Sequence, residues 1–111
     1  ICRAGALTVS ELAAAGVPSI LIPFPYAVDD HQTANGQFLV REGGAEMVQQ
    51  SELSVERLTS MLNRYCKNVQ VGREALKTMA QSAHRLAKPE STAEVAQICA
   101  NAMNIKLDEV A

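Results

Sequence analysis

Short apolar runs alternate with glycine and proline over the first third of the chain, a pattern typical of strands and helices joined by tight loops. A helix is predicted over residues 8–15, because Gly16 and Pro18 follow it as stop signals. Residues 19–22 are mostly apolar without alternation and end at Pro23, which predicts a short strand buried on both faces.

The same pattern continues with a second helix and a second strand. The helix is predicted over residues 29–41 and ends at Gly43 and Gly44, and residues 45–48 form the strand. Residues 1–2 have the character of a strand tail that runs into a loop. A β-α-β-α-β order with non-alternating strands predicts an α/β fold, a parallel sheet with helices on both faces.

Three amphipathic helices are predicted after the second strand. The first begins at Ser54, a good N-cap, and the second ends before Pro89. Ser91 and Glu94 have the spacing of a capping box at the start of the third, and the polar residues 106–111 are predicted to fray. The apolar residues that recur at helical spacing, which we expect to pack in the core, are Leu58, Met61, Leu62, Tyr65, Leu76, Met79, Ala80, Ala83, Val95, Ile98, Cys99 and Ala102.

Composition narrows the possible functions. The 111 residues are 48% hydrophobic and 20% charged, which is typical of a folded domain rather than a disordered one. Ten basic and twelve acidic residues give a net charge of -2 without a basic stripe, so we expect no nucleic-acid partner. The longest apolar stretch, residues 19–24, is too short to span a bilayer, which argues against a transmembrane function.

The cysteines and the first residue add two expectations. Cys2, Cys66 and Cys99 are odd in number and include no C-x-x-C pair, so we expect buried or partly buried thiols in a reducing cytosol rather than a disulfide framework or a zinc site. The chain begins with Ile1 rather than Met, and we expect it to be a fragment whose N-terminal part carries further elements.

Two loops lead from strand ends into helices, where open α/β sheets bind their ligands. Residues 3–8 form the first loop, in which small side chains let a ligand approach the backbone and the free N–H groups of a helix N-terminus favour an anion. Glu11 follows this loop and has two interpretations. It forms a capping box with Thr8, or its carboxylate accepts hydrogen bonds from vicinal hydroxyls such as those of a ribose.

The second loop, residues 23–30, leads into a helix that carries Gln32 and Asn35 on one face. Two amides there offer both donors and acceptors, which suits sugar hydroxyls. If Asp29 is the N-cap, Gln32 is instead a cap partner at the third helical position. Residues 29–31, two aspartates and a histidine, also allow a metal interpretation, which is disfavoured because adjacent side chains point in different directions.

The two loops together carry a distinctive set of motifs. Residues 3–11 read RAGALTVSE and are followed by GVP at residues 16–18, IPF at residues 22–24 and DDHQxxN at residues 29–35. This combination resembles the MurG family, the glycosyltransferases that move N-acetylglucosamine from UDP-N-acetylglucosamine onto the undecaprenyl-diphosphoryl-muramoyl-pentapeptide lipid of peptidoglycan. The likeness covers residues 1–102.

The resemblance implies the GT-B fold, in which two Rossmann-like domains face each other across a cleft and the C-terminal one holds most of the nucleotide sugar. Residues 1–105 would be the latter part of that C-terminal domain, a partial Rossmann-like parallel sheet with flanking helices, and residues 106–111 a tail. The first strands of this domain and the whole N-terminal domain would be missing.

The resemblance also implies which residues bind the sugar nucleotide. Backbone amides of residues 6–8 would bind the diphosphate and nearby sugar atoms, and Glu11 the ribose hydroxyls. Gln32 would bind hydroxyls of N-acetylglucosamine, with Asn35 beside it, while His31 stands where some relatives have Gln. The implied substrate-binding residues are Ala6, Leu7, Thr8, Val9, Ser10, Glu11, Gln32 and Asn35.

The implied reaction is an inverting transfer, in which the C4 hydroxyl of the acceptor attacks the anomeric carbon while UDP leaves. An amide-lined helix N-terminus would stabilise the leaving diphosphate without a metal ion, and no cofactor is implied. The general base and the acceptor site would lie in the missing domain, so we expect the chain alone to be inactive and to bind UDP-N-acetylglucosamine weakly. The whole enzyme would be cytoplasmic and peripheral on the inner face of the bacterial membrane.

Two rival functions stay open at this stage. A related UDP-sugar transferase would share the nucleotide site and use diacylglycerol or a small molecule as its acceptor. A non-enzymatic helical interaction module would use the glycine-containing loop only as a turn.

Overall fold

The computed structural model describes residues 1–104 as an α/β fold, as predicted, and the predicted tail at residues 106–111 lies outside the described residues. Two short 3-10 turns, Val28–Asp30 and Gln50–Glu52, precede the second and third helices. The helices are α1 Ala6–Ala15, α2 His31–Val40, α3 Val55–Cys66, α4 Val69–Arg85 and α5 Ser91–Ala102, and the strands are β1 Ser19–Leu21 and β2 Ala45–Met47.

The sheet is parallel, as the β-α-β-α-β order predicts. β1 pairs with β2 so that Ser19 lies opposite Ala45. The predicted strand tail at the start of the chain is a single bridge on the other side of β1. The Cys2 N–H donates to the Ile20 carbonyl at 3.1 Å, and the Ile22 N–H donates to the Cys2 carbonyl at 2.8 Å.

The hydrophobic core lies on both faces of this sheet, because successive side chains of a buried strand point to opposite faces. All three residues of β1 are buried. Leu21 belongs to a cluster under α1, α2 and α4, whereas Ile20 packs with Val48 and Met61 on the α3 side. The first cluster contains Ala4, Val9, Ala13, Leu21, Leu39, Ala45 and Ala83.

The third helix begins where the sequence predicts. The Ser54 hydroxyl accepts a hydrogen bond from the Arg57 N–H at 3.1 Å, which confirms Ser54 as the N-cap of α3. The apolar stripe of α3 buries Met61, while Leu62 stays 37% exposed at its edge. The stripe of α4 buries Ala83 against the first core cluster, but Leu76 is 36% exposed, so the expectation that Leu76 packs in the core is wrong.

The last helix differs from its prediction in two ways. Ser91 is the first residue of α5, and Glu90 is the N-cap without a side-chain bond, so the predicted Ser91–Glu94 capping box is wrong. Val95 and Ile98 are 58% and 67% exposed, so the expectation that the apolar side of α5 packs in the core is wrong for the described residues. Ala100 is the residue of α5 that the fold buries. Cys66 and Cys99 are exposed as well, so the expectation of buried or partly buried thiols is wrong for these two cysteines.

One polar cluster ties α3 to the sheet. Glu46 on β2 accepts hydrogen bonds from the Tyr65 hydroxyl and from the Arg64 guanidinium, both on α3. Burial raises the pKa of Tyr65 from 10.0 to about 12, with the hydrogen bond to Glu46 and the charge of Glu46 acting in the same direction. The fold therefore favours the neutral phenol.

Replacing Tyr65 by Phe should remove a pH dependence from the stability of the fold. The wild type keeps the contribution of the neutral phenol in full below pH 10 and loses it as the pH rises through about 12. We expect its free energy of unfolding to fall more between these two pH values than that of Tyr65→Phe, measured by urea denaturation. Tyr26→Phe, on a ring that is 81% exposed, is the matched control and should follow the wild type. Parallel profiles of wild type and Tyr65→Phe would contradict this expectation.

Candidate functional site

The N-terminus of α1 opens the candidate site. The helix begins at Ala6, two residues earlier than predicted, with Gly5 as its N-cap in an extended conformation. The first helical hydrogen bond runs from the Val9 N–H to the Gly5 carbonyl at 2.9 Å. The N–H groups of residues 6–8 therefore project from the helix end, where the helix dipole favours an anion.

This helix start decides between the two interpretations of Glu11. A capping box needs Thr8 at the N-cap, but Thr8 is the third residue of α1 and Gly5 holds the N-cap without a side-chain bond. The capping interpretation is therefore wrong. Glu11 lies on the second turn with its side chain exposed, so its carboxylate is accessible to a ligand.

The other residues of this segment have different surroundings. Val9 is 4% exposed and packs in the first core cluster, so only its backbone could face a ligand. Leu7 is 80% exposed. The Ser10 hydroxyl donates to the Ala6 carbonyl at 3.0 Å, a bond within the helix.

The second loop enters α2 through an unusual backbone. Asp29 and Asp30 both adopt left-handed conformations, with φ of 53° and 52°. The helix begins at His31 with Asp30 as its N-cap, so the prediction that Asp29 is the N-cap is wrong. The Asp30 carboxylate accepts a hydrogen bond from the Thr33 hydroxyl at 2.7 Å instead of from the backbone.

The side chain of Gln32 joins the two loops. Its Oε1 accepts a hydrogen bond from the Phe24 N–H at 2.9 Å and another from the Ala4 N–H at 3.2 Å. Gln32 is the second residue of α2, and its carbonyl oxygen serves neighbouring loops, so the interpretation of Gln32 as a cap partner is wrong. Asn35 lies on the same face and donates from Nδ2 to the Ala4 carbonyl at 3.2 Å.

The structure thus brings Gln32 and Asn35 into contact with Ala4, the residue that precedes the N-cap of α1. Two segments that are 28 residues apart in sequence form one surface, with helix amides on one side and side-chain amides on the other. Helix amides suit an anion, and side-chain amides suit the hydroxyls of a sugar.

Arg3 adds a positive charge beside this surface. Its guanidinium donates to the Ile22 carbonyl at 3.3 Å and to the Pro23 carbonyl at 3.2 Å, and lies 5.5 Å from the centre of the Phe24 ring. Phe24 in turn makes an edge-to-face contact with Tyr26, with ring centres 5.6 Å apart. The role of Arg3 could not be predicted from the sequence, because the carbonyl groups that its guanidinium contacts lie about 20 residues away in the chain.

A cavity of about 840 Å³ lies beside α1, between this helix and the connection from α4 to α5. This volume is in the range of small-molecule pockets. Its lining includes Leu7, Ser10 and Glu11 on one side and Leu86, Lys88 and Pro89 on the other. Glu11 is therefore part of the wall of this cavity and lies on the second turn of α1.

Two further properties of residues 1–104 bear on function. No three histidine, cysteine, aspartate or glutamate side chains there are grouped so that they could hold a metal ion. None of the helices in this part of the chain has both the length and the apolar character that a bilayer crossing requires.

Comparison with known proteins identifies the family to which the chain belongs. The model of the glycosyltransferase family 28 C-terminal domain matches residues 1–97. The chain belongs to this family. The resemblance to a glycosyltransferase family, which the sequence motifs suggest for residues 1–102, is thereby confirmed.

Individual relatives agree with the family. A UDP-N-acetylglucosamine--N-acetylmuramyl-(pentapeptide) pyrophosphoryl-undecaprenol N-acetylglucosamine transferase of Burkholderia ambifaria is 50% identical over 110 residues, which are 99% of this chain and 28% of the relative. A protein of the same name from Cupriavidus metallidurans is 54% identical over 99 residues, 89% of this chain and 26% of that protein. The chain thus spans about a quarter of the length of these family 28 relatives.

A solved structure supports the same fold. The crystal structure of Acinetobacter baumannii MurG superimposes with a TM-score of 0.78 at 43% identity, and the match covers 87% of this chain and 28% of that one. The predicted Rossmann-like architecture is therefore confirmed as that of a family 28 C-terminal domain.

Proposed function

We propose that the chain is the donor-binding part of an inverting glycosyltransferase. The intact enzyme moves N-acetylglucosamine from UDP-N-acetylglucosamine to a lipid-linked muramoyl-pentapeptide in peptidoglycan synthesis. The observation that carries the proposal is the bridge formed by Gln32, which joins Ala4 and Phe24 and so builds one polar surface at the N-terminus of α1. Family membership and the names of the relatives supply the chemistry of the substrates.

In this proposal the end of α1 binds the diphosphate. The amides of Ala6, Leu7 and Thr8 precede the first helical hydrogen bond and are directed toward solvent at the positive end of the helix dipole. Negative charge grows on the diphosphate as UDP leaves, and amides fixed before the reaction stabilise it without reorganising. Val9 and Ser10 belong to the same donor-binding segment. Because the Val9 side chain is buried, Val9 contributes only its backbone.

Two side chains bind the remaining parts of the donor. The Glu11 carboxylate accepts hydrogen bonds from the ribose hydroxyls, which fits its exposed position at the edge of the cavity. Gln32 binds the N-acetylglucosamine, and Asn35 lies beside it on the same face of α2.

The rest of the reaction belongs to residues outside this chain. We place residues 1–105 in an incomplete C-terminal domain and assign the general base and most of the acceptor site to an N-terminal domain, since the chain spans 28% of the Burkholderia ambifaria relative. The chain alone is then inactive and binds its donor weakly. The whole enzyme acts in the cytoplasm, peripheral on the inner face of the membrane where its lipid-linked acceptor lies.

An NMR titration of the ¹⁵N-labelled chain tests the proposal. We expect millimolar UDP-N-acetylglucosamine to shift the amide signals of residues 6–8, Glu11 and Gln32, because the donor would lie against them. UDP-glucose at the same concentrations is the matched control for recognition of the acetamido group.

Three other outcomes would contradict the proposal. Shifts confined to the exposed side of α5, at residues such as Val95 and Ile98, would favour a helical interaction module. An unchanged spectrum would argue against donor binding. Robust turnover by the purified chain would contradict the assignment of the general base to another domain.

A further inference from the structure

Two aromatic rings are exposed on the loop that follows β1. Tyr26 is 81% exposed and Phe24 is 41% exposed. Their ring centres lie 5.6 Å apart at an interplanar angle of 74°, an edge-to-face geometry that favours two rings in contact. Single apolar side chains scattered over a surface are ordinary, whereas contiguous exposed ones mark sites of contact. The aromatic pair therefore needs an explanation.

A closed turn holds the two rings in place. The Ala27 N–H donates to the Phe24 carbonyl at 3.3 Å, which closes a β-turn with Pro25 at its second position and Tyr26 at its third. Proline at the second position restricts the backbone of such a turn before any ligand binds. The Arg3 guanidinium lies 5.5 Å from the centre of the Phe24 ring. The pair is thus presented with little conformational freedom left to lose on binding.

The aromatic pair adjoins the proposed position of the donor sugar. The Phe24 N–H donates to Gln32 Oε1 at 2.9 Å, so the backbone that carries one ring touches the side chain assigned to N-acetylglucosamine. In the transfer, the acceptor hydroxyl has to come within about 3–3.5 Å of the anomeric carbon of that sugar. The acceptor sugar therefore has to lie beside the donor sugar, and the pair is an exposed apolar surface next to Gln32.

The chemistry of the pair suits a sugar ring. A pyranose has an apolar face of C–H groups and a rim of hydroxyls, and the C–H face packs on the face of an aromatic ring. The names of the relatives include an N-acetylmuramyl group, which is such a pyranose. The charges of the loop disfavour an anionic lipid surface as the alternative, because Asp29 and Asp30 follow Tyr26 by three and four residues.

We propose that Tyr26, supported by Phe24, is the platform on which the N-acetylmuramyl ring of the acceptor packs. The platform contributes one wall of the acceptor site, and the rest of that site belongs to residues outside this chain. The inference rests on the proposed function and deepens it, because it adds an acceptor contact to a chain that the proposed function assigns to donor binding.

NMR titration of the ¹⁵N-labelled chain with N-acetylmuramic acid tests the platform. The chain is first saturated with UDP-N-acetylglucosamine, so that the added sugar cannot enter the donor position. We expect the amide signals of Tyr26 and Ala27 and the ring signals of both aromatic residues to shift. Tyr26→Ser should weaken this binding roughly three- to tenfold, the range for one aromatic contact, while the binding of UDP-N-acetylglucosamine stays unchanged.

Two further variants separate the ring from other effects of the substitution. Tyr26→Phe keeps the ring and removes the hydroxyl, so it should bind N-acetylmuramic acid as the wild type does. Val69→Ser removes an apolar side chain of α4 that is 70% exposed, and it should also leave this binding unchanged. A Tyr26→Phe chain that binds as weakly as Tyr26→Ser would point to a hydrogen bond of the hydroxyl instead of packing, and would overturn the inference.

The remaining outcomes distinguish this inference from the proposed function. Donor shifts at residues 6–8 without any effect of N-acetylmuramic acid on Tyr26 would overturn the inference and leave the proposed function standing. If the sugar has no effect but vesicles of phosphatidylcholine and phosphatidylglycerol sediment the wild type and not Tyr26→Ser, the loop contacts a membrane and the inference is overturned. A wild-type chain without donor shifts at residues 6–8 would overturn the proposed function and the inference with it.

Discussion

Gly44→Ala is expected to destabilise the fold by about 2–3 kcal/mol, the upper part of the range for overpacking a core. A Cβ atom at this position would lie 2.8 Å from the Cα atom and 2.9 Å from the backbone nitrogen of Ala83. Both are backbone atoms of α4, so relief requires the helix to move away from the sheet rather than one side chain to rotate. Ala83 is fully buried in the first core cluster, and such a movement would open that cluster.

The turn before β2 explains why glycine stands at this point. The Gly43 N–H donates to the Val40 carbonyl at 3.0 Å and the Gly44 N–H to the Leu39 carbonyl at 2.8 Å, which closes the end of α2. Gly43 has a φ of 74°, a left-handed conformation that glycine adopts without a steric penalty. The turn then leads the chain directly beneath α4 into β2.

Urea denaturation of Gly44→Ala and Gly5→Ala measures this effect. At Gly5 a Cβ atom would meet only ordinary contact with the Thr8 hydroxyl at 3.7 Å, and its φ of -63° suits alanine. We expect Gly5→Ala to cost at most about 1 kcal/mol, because alanine is a poorer N-cap than glycine, and therefore to be clearly less destabilising than Gly44→Ala. A Gly44→Ala chain as stable as the wild type would show that α4 does not pack on this turn.

The order of strands and helices could be predicted because the ends of the first two helices and the strand between them have local signals. Gly16 and Pro18 end the first helix, and the paired glycines end the second. The apolar run at residues 19–22 predicted a strand buried on both faces, and β1 is buried throughout. Such signals depend on a few neighbouring residues, so one sequence suffices to read them.

The start of α2 could not be predicted because contacts distant in sequence determine it. Local preference favours Asp29 as an N-cap, yet Asp29 and Asp30 take left-handed conformations and the helix begins at His31. With this helix start, the Gln32 side chain accepts hydrogen bonds from the Phe24 N–H and from the Ala4 N–H, which lies 28 residues away in sequence. No spacing rule within the second loop carries this information.

The last helix shows a different limit. The spacing of Val95 and Ile98 defines an apolar side of α5, and that side exists, but most of it is exposed within residues 1–104. Periodicity indicates which side of a helix is apolar, whereas what covers that side depends on the rest of the polypeptide. The candidate site shows a similar limit, because the roles of its residues were inferred from the family resemblance and could not be inferred from their spacing.

Glu11→Ala is expected to weaken the binding of UDP-N-acetylglucosamine by roughly tenfold to a hundredfold, the range for a hydrogen bond to a charged group. The carboxylate is exposed on the second turn of α1, and it does not cap the helix, which begins at Ala6. The helix dipole acts most strongly in the first turn, and Glu11 lies beyond that turn. The free energy of unfolding should therefore change by less than about 0.5 kcal/mol.

A comparison of three variants separates the charge of Glu11 from its geometry. Glu11→Gln keeps one carbonyl acceptor and loses the charge, so its dissociation constant should lie between those of the wild type and Glu11→Ala. Glu74→Ala removes an exposed carboxylate on α4 and should bind as the wild type does. NMR titration supplies the constants, and urea denaturation supplies the stabilities. A Glu11→Ala chain that keeps its affinity but loses about 1 kcal/mol, the usual cost of a lost cap, would restore the capping role that the helix start argues against.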